Sequence, residues 1–188
     1  MDNIHLNMER VWRLCQQCAK NVYRSKPPTP SYAFNVAQFL FEIAAQESSL
    51  RWERQRTPAF DGPVGGFSKW QMEKGFIASA QDYIRRNPQL AVHTTDFVFA
   101  DPNCPPSYLT SLPLDTLLVA LRFNDNDALG VALCRVGILQ WPELIPPSVD
   151  ARAILWKKRY NTHLGSGTEA QYIYHAEQFC HPITKKGM

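Results

Sequence analysis

Glu47 is the residue whose type and position in this sequence most clearly allow acid–base chemistry. In residues 32–50, apolar side chains recur at intervals of three and four, which predicts an amphipathic helix. At about 100° per residue, Glu47 falls near the middle of the apolar stripe and Glu42 falls well off it. Burial raises the pKa of a carboxyl group, and an acid that stays protonated near neutral pH can protonate a leaving sugar oxygen. The stripe consists of Val36, Leu40, Ile43, Ala44 and Leu50.

A structural interpretation of Glu47 stands beside the chemical one. A glutamate at a helix end can turn towards water, or it can pair with Arg51 or Arg54 a few residues later. Structural ion pairs also perturb carboxylates. The apolar stripe alone leaves both interpretations open.

The composition predicts one globular domain with a sizeable core. The chain has 188 residues, of which 45% are hydrophobic and 20% charged, as in ordinary globular proteins. A net charge of +3 is too small to indicate nucleic-acid binding, although it suits contact with an acidic cell wall. No run approaches the ~20 apolar residues of a membrane span. Residues 1–5 lack a secretory signal, so we expect synthesis and retention in a cytosol unless another component carries the protein out.

The pattern along the chain predicts a mostly α-helical protein. Helices are expected at 8–24, 32–50, 75–86, 89–98, 113–123, 126–140, about 150–161 and 169–180. Ser148 or Asp150 and then Thr168 are candidate N-caps. A Gly/Pro-rich loop at 51–69 is a natural cleft wall, with a short hairpin at 51–70 left open, and 101–113 reads as irregular. Because Pro27-Pro28-Thr29-Pro30 breaks helical continuity, residues 1–30 are predicted to be a helical extension of a domain at 31–188.

Three short blocks of this sequence together resemble the lysozyme-like superfamily. They are Gln46-Glu47-Ser48-Ser49, the segment 65–73 with its Gly-rich turn, and the segment 156–168 containing Tyr160-Asn161. In soluble lytic transglycosylases and their small virion-associated phage relatives, a helix ends in a catalytic Glu followed by Ser. A Gly-rich turn then leads to an aromatic-Gln pair, and a late helix ends in Tyr-Asn. The resemblance covers roughly residues 32–180 and implies a lysozyme-like domain.

The resemblance implies a role for individual side chains. Glu47 would act as general acid and then as general base. Ser48 would help to hold the sugar or the acid, and Gln71 would line the cleft. Tyr160 would hydrogen-bond near Glu47, within reach of its carboxylate, with Asn161 beside it in substrate binding.

The second block departs from the family pattern. Phage relatives run Gly-Phe-Trp-Gln without interruption, whereas Ser68-Lys69 separate Phe67 from Trp70 here. Phe67 and Trp70 would stack on sugar rings if the family roles hold. Large aromatic side chains also serve as core or loop anchors, and both interpretations stay open.

A second carboxylate is the feature that would separate two mechanisms. Glycosidases usually use two carboxyl groups, whereas lytic transglycosylases, as the resemblance implies, use one Glu and the hydroxyl of the substrate itself. Asp61 is the candidate second carboxylate, although Asp61-Gly62 is also typical of a turn. A chitinase-like hydrolase using Glu47, Asp61 and water is a third option.

A metal site is the weaker interpretation of the cysteines and histidines. Cys15 and Cys18 have the spacing of a ligand pair, with His175, Cys180 and His181 far along the chain. Structural zinc usually has two tight pairs, and thiols three apart on an amphipathic helix read more simply as buried packing residues. We therefore predict no metal and no cofactor.

The resemblance to the lysozyme-like superfamily implies a peptidoglycan-cleaving glycosidase, either a lytic transglycosylase or a muramidase. The expected setting is a phage virion, with the protein made in the host cytoplasm and opening the cell wall during genome delivery. Its partners would be the peptidoglycan glycan strand and, through residues 1–30, other virion or tail proteins. An endolysin is also open. The alternative is a non-enzymatic phage tail or head-to-tail structural protein that retains a lysozyme-like fold.

Overall fold

The computed structural model describes residues 3–50, 67–100, 105, 107–123, 126–162 and 165–184. In these ranges the chain is mostly α-helical, which confirms the prediction of a mostly α-helical protein. The same ranges contain no β-strand, only an isolated antiparallel bridge between Phe67 and Met72. Asp61, Arg51, Arg54 and most of the open hairpin segment lie outside the described residues.

Helices follow the predicted pattern closely. Those described are α1 (Asn3–Asn21), α2 (Pro30–Ser48), α3 (Lys74–Arg85), α4 (Pro88–Phe99), α5 (Tyr108–Ser111), α6 (Leu114–Phe123), α7 (Asp127–Ile138), α8 (Val149–Trp156), α9 (Glu169–His175) and α10 (His181–Thr184). A π-helical turn (Lys157–Asn161) prolongs α8, and a second (Ala176–Cys180) joins α9 to α10. The short α5 corrects the prediction that 101–113 is irregular throughout. Over the same residues, no helix is both long and apolar enough to cross a bilayer.

Helix α2 is the central helix of the core. The Thr29 side chain accepts a hydrogen bond from the Tyr32 backbone N–H, and Pro30 occupies the first turn, both typical of a helix start. The helix ends where Ser49 turns left-handed, with φ of 49°. Neighbours on several sides, among them α1, α7 and α9, bury every residue from 39 to 45. The single apolar stripe predicted for this helix is therefore wrong, because its middle is buried all round.

Helix α1 belongs to this same core. Its buried face consists of Met8, Val11, Trp12, Cys15, Cys18 and Ala19, and it packs against α2, α7 and α4. Asn7 donates a hydrogen bond to the Leu50 carbonyl at 2.7 Å, just after α2, and the buried Arg135 of α7 donates to the Val22 carbonyl at 3.3 Å. The expectation that the helix in residues 1–30 stands apart from the core is corrected, because a proline break in sequence does not prevent the preceding helix from folding back.

The turn at 67–72 is fixed against α7 by charge and by close packing. The Lys69 ammonium contacts the Asp127 carboxylate at 2.9 Å, and both side chains are almost fully buried. A Cβ at Gly130 of α7 would lie 3.1 Å from both Ser68 and Trp70 side-chain atoms. This close approach sets where the second sequence block meets the core.

Candidate functional site

Glu47 lies in the last turn of α2 and is partly buried. Its Oε1 accepts a hydrogen bond from the indole Nε1 of Trp156 at 2.9 Å. Trp156 ends α8 and is fully buried. The fold thus joins the first and third sequence blocks, which lie 109 positions apart. Within the described ranges Glu47 takes part in no ion pair, while Arg51 and Arg54 lie outside them.

The pKa of Glu47 is shifted into the neutral range. Burial raises the pKa of Glu47 from 4.5 to about 7, and the hydrogen bond from Trp156 works in the opposite direction. The two effects have the expected signs, because burial penalises the charged form and a donor stabilises it. A group with this pKa can both give and take a proton near pH 7.

The partner of Glu47 separates it from the other buried carboxylates described. Glu42 pairs with Arg152, and Asp127 pairs with Lys69. Glu47 instead meets a neutral indole, which donates a hydrogen bond without a positive charge. Such a partner orients the carboxyl group without holding it permanently in the charged form.

A buried ionic network lies next to this contact and involves earlier residues of the same two helices, Glu42 of α2 and Arg152 of α8. Arg152 Nε and Nη2 each donate to a Glu42 carboxylate oxygen at 2.7 Å. The Tyr172 hydroxyl donates to Glu42 Oε2 at 2.9 Å. The Arg152 and Glu42 side chains are only 2% and 1% exposed. The network therefore joins α2, α8 and α9, the three helices that surround Glu47 and Trp156.

Sequence reasoning missed Glu42, although a signal was present. In Phe39–Ala45 every residue except Glu42 is apolar, and a helix that is apolar all round is a buried helix. A lone carboxylate in such a segment requires a buried partner. The predicted stripe covers only one face of the helix, and Glu42 falls well off that face.

The second block enters the site through its backbone rather than through its aromatic faces. Trp70 is fully buried and donates its Nε1 hydrogen to the Leu40 carbonyl at 2.8 Å. Phe67 is 2% exposed. The predicted stacking of Phe67 and Trp70 on sugar rings is corrected, because both rings are core residues.

Tyr160 lies within electrostatic reach of Glu47, but its hydroxyl has another hydrogen-bond partner. The Tyr160 hydroxyl donates to the Trp70 carbonyl at 2.5 Å, and Trp156 supplies the donor to Glu47. Burial, Cys134 and the Glu47 charge, in that order, raise the pKa of Tyr160 above its ordinary value. Tyr160 therefore ties the second block to the third, within electrostatic reach of Glu47.

Three further predicted substrate-binding residues are held by contacts within their own segments. Ser48 is buried, and its Oγ donates to the Ala44 carbonyl at 2.8 Å, so its predicted role in sugar binding is corrected. Gln71 Nε2 donates to the Ser68 carbonyl at 2.7 Å. Asn161 Oδ1 accepts a hydrogen bond from Lys157 Nζ at 2.7 Å.

Gln46 and His175 form a pair beside Glu47 that sequence reasoning did not predict. His175 Nδ1 donates to Gln46 Oε1 at 2.8 Å, linking α2 to the end of α9. Burial lowers the pKa of His175, which favours the neutral form of the ring. Its place in the sequence indicated only a distant metal ligand, because nothing local shows that α9 folds back onto α2.

The four cysteines that the structure describes, which include Cys134, are thiols in the core. Cys15, Cys18 and Cys180 are buried and free. Burial is the main cause that raises the pKa of each thiol, that of Cys18 to about 12. Across the part of the chain that the structure describes, no group of three or more His, Cys, Asp or Glu side chains is arranged to hold a metal ion.

Comparisons with protein-family models, with curated proteins and with solved structures find no match to this chain. The function therefore has to be inferred from Glu47 and its surroundings. Their chemistry is that of one carboxyl group that exchanges a proton near neutral pH, oriented by a neutral donor and supported by a buried ionic network.

Proposed function

We propose that this protein is a glycosidase that cleaves the glycan strand of peptidoglycan, as a lytic transglycosylase or a muramidase, with Glu47 as the acid. The observation that carries the proposal is the environment of Glu47. Its carboxyl group is partly buried, its pKa is about 7, and its donor is the indole of Trp156. The lysozyme-like resemblance of the three blocks supports the choice of substrate.

The proposed chemistry uses Glu47 twice. The protonated carboxyl group gives its proton to the glycosidic oxygen while the bond from the sugar anomeric carbon to that oxygen breaks, through an oxocarbenium-like transition state. The Glu47 carboxylate then accepts a proton from the nucleophile. If the nucleophile is a hydroxyl of the same sugar, the product is an anhydro sugar; if it is water, the product is a reducing end. The Trp156 N–H stabilises the carboxylate between the two steps.

A virion-associated enzyme made in the host cytoplasm is the setting that we propose, with wall opening during genome delivery. Since α1 is packed into the core, residues 1–30 no longer serve as the separate docking element in this proposal. The domain that we propose as lysozyme-like therefore includes α1.

A non-enzymatic virion structural protein with a lysozyme-like fold is the second candidate. The observation in its favour is the burial of Phe67, Trp70 and Ser48, the groups that the resemblance assigns to sugar contact. A protein that had lost its substrate could keep these side chains as core residues only.

Digestion of purified peptidoglycan separates the two candidates. We expect the wild-type protein to release glycan fragments, and mass spectrometry of their ends to distinguish anhydro from reducing products. Glu47→Gln should lower cleavage by at least ~10²-fold, the usual contribution of a general acid. Glu177→Gln, an exposed carboxylate on the second π-helical turn, is the matched control and should cleave like wild type.

Two results would overturn the assignment. No cleavage by the folded wild-type protein would favour the structural candidate. Near-full activity of Glu47→Gln, with loss of activity in Asp61→Asn, would remove Glu47 from the acid role.

A further inference from the structure

The indole of Trp156 is held on three sides. Its Nε1 donates to Glu47 at 2.9 Å. Its ring packs on Tyr172, with centroids 5.2 Å apart and planes inclined by 34°. The backbone of Gly167 closes the third side, since a Cβ built there would lie 2.7 Å from Trp156 Cη2.

Local structure explains why the chain passes so close at Gly167. The next residue, Thr168, is the N-cap of α9, and it forms a reciprocal capping box with Gln171. The cap fixes the backbone where it enters α9. Only a residue without a side chain fits between this cap and the indole, because a Cβ at 2.7 Å would overlap a rigid ring atom and would also approach Gln46 Nε2 at 3.3 Å.

Tyr172 connects this contact to the ionic network. Its hydroxyl donates to Glu42, which Arg152 holds in a two-point ion pair. The ring on which the indole packs is therefore fixed at its far end. Side chains that are fixed by packing and by further hydrogen bonds hold a functional group more accurately than mobile ones do.

We propose that Trp156 is a positioning residue that sets how strongly Glu47 holds its proton, and that Gly167 is required so that the indole N–H can reach the carboxylate. This role deepens the proposed function and rests on it for its use in catalysis. The contact itself is a property of the folded chain and can be measured without any substrate.

Other titratable groups near Glu47 do not produce the same signal. Cys134 of α7 and Tyr160 of the first π-helical turn feel the Glu47 charge, and burial raises the pKa of both far above neutrality. His175 of α9 lies beside Gln46, and burial lowers its pKa below the ordinary value of 6.5. A titration near pH 7 that disappears in Glu47→Gln therefore belongs to Glu47.

The test is a carboxyl-carbon NMR titration of the full-length protein labelled at glutamate, with the Glu47 signal assigned by its loss in Glu47→Gln. Trp156→Phe removes the donor and keeps a ring to pack on Tyr172. We expect Glu47 to become a roughly tenfold weaker acid, because a hydrogen bond to a charged group contributes about that factor.

Gly167→Ala keeps the indole and displaces it, so it should weaken the acidity of Glu47 in the same direction by a smaller factor. Gly75→Ala is the matched control, since a Cβ at Gly75 meets nothing within 4 Å, and it should leave the titration unchanged. An unchanged Glu47 titration in folded Trp156→Phe would overturn the proposal. If Trp156→Phe does not fold, an unchanged titration in Gly167→Ala overturns it.

The cleavage assay separates this proposal from the proposed function. For a general acid, activity falls as pH rises through the pKa of Glu47. In Trp156→Phe the alkaline limb of the pH profile should therefore move to higher pH, where the proton concentration is about tenfold lower. If Trp156→Phe shifts the titration of Glu47 but the wild-type protein cleaves no peptidoglycan, the proposed glycosidase function is wrong and the proposed role of Trp156 stands. If cleavage depends on Glu47 but Trp156→Phe leaves the titration of Glu47 unshifted, the proposed function stands and the proposed role of Trp156 is wrong.

Discussion

Replacing Glu47 with glutamine is expected to stabilise the fold above neutral pH, and the structure gives the size of the effect. The pKa of Glu47 rises from 4.5 to about 7 on folding. The folded state therefore binds more protons than the unfolded state between these two values, and linkage makes stability fall as pH rises through that window. Below pH 4.5 this loss of stability is absent, and above pH 7 it is fully present.

The shift in the pKa of Glu47 corresponds to a loss of at most about 3 kcal/mol in the free energy of unfolding at high pH. The side chain is only partly buried, so solvent screening brings the expected gain to about 1–3 kcal/mol. Glutamine keeps an oxygen that can accept the hydrogen bond of Trp156, so the substitution removes the charge and preserves the contact. We expect Glu47→Gln to match wild type within about 1 kcal/mol at pH 4.5 and to exceed it at pH 8.

Urea unfolding at pH 4.5 and pH 8 measures this difference, with Glu177→Gln as the exposed-carboxylate control. A glutamine variant that is less stable than wild type at pH 8 would refute the reasoning. It would show that the Glu47 carboxylate stabilises the fold through a cation such as Arg51 or Arg54, which is the structural interpretation of this residue.

Two further predictions concern the parts of the fold that hold the site. Replacing either Glu42 with Ala or Arg152 with Met should destabilise the protein by about 3–5 kcal/mol, because each change leaves the other partner charged and buried; the double variant should lose less than the sum of the single losses in urea unfolding. A chain that starts at Ser31 lacks α1 and should unfold, seen as loss of dispersion in its NMR spectrum, because α1 supplies a buried face and the donor to the Leu50 carbonyl. A folded and lytic truncated chain would instead show that α1 is dispensable to the core.

Local signals were sufficient for most of the helices. Ser148 and Thr168 are predicted N-caps that the structure confirms. The direction of the pKa shift of Glu47 also followed from the sequence, since an acid among apolar neighbours has a raised pKa. These features depend on neighbours three or four residues away, and such neighbours are visible in the sequence.

Tertiary neighbours decided the features that were predicted wrongly. Whether α1 folds back depends on the path after residue 21, which the proline break does not specify. The donor to Glu47 is Trp156 rather than Tyr160, and that choice depends on how α8 is rotated against α2. Periodicity identifies a face of a helix, but it does not identify which helix covers that face.

The two acids of α2 differ in the chemistry of the partners that they meet. Glu42 and Glu47 meet partners on the same helix, α8, namely Arg152 and Trp156. Glu42 meets a guanidinium in the core, whereas Glu47 meets a neutral donor in the last turn of α2. The partial negative charge at a helix C-terminus opposes ionisation of a carboxyl group there, so a purely structural acid at that position would be better served by a cation. An indole in its place leaves the proton exchangeable, which supports an acid–base role for Glu47.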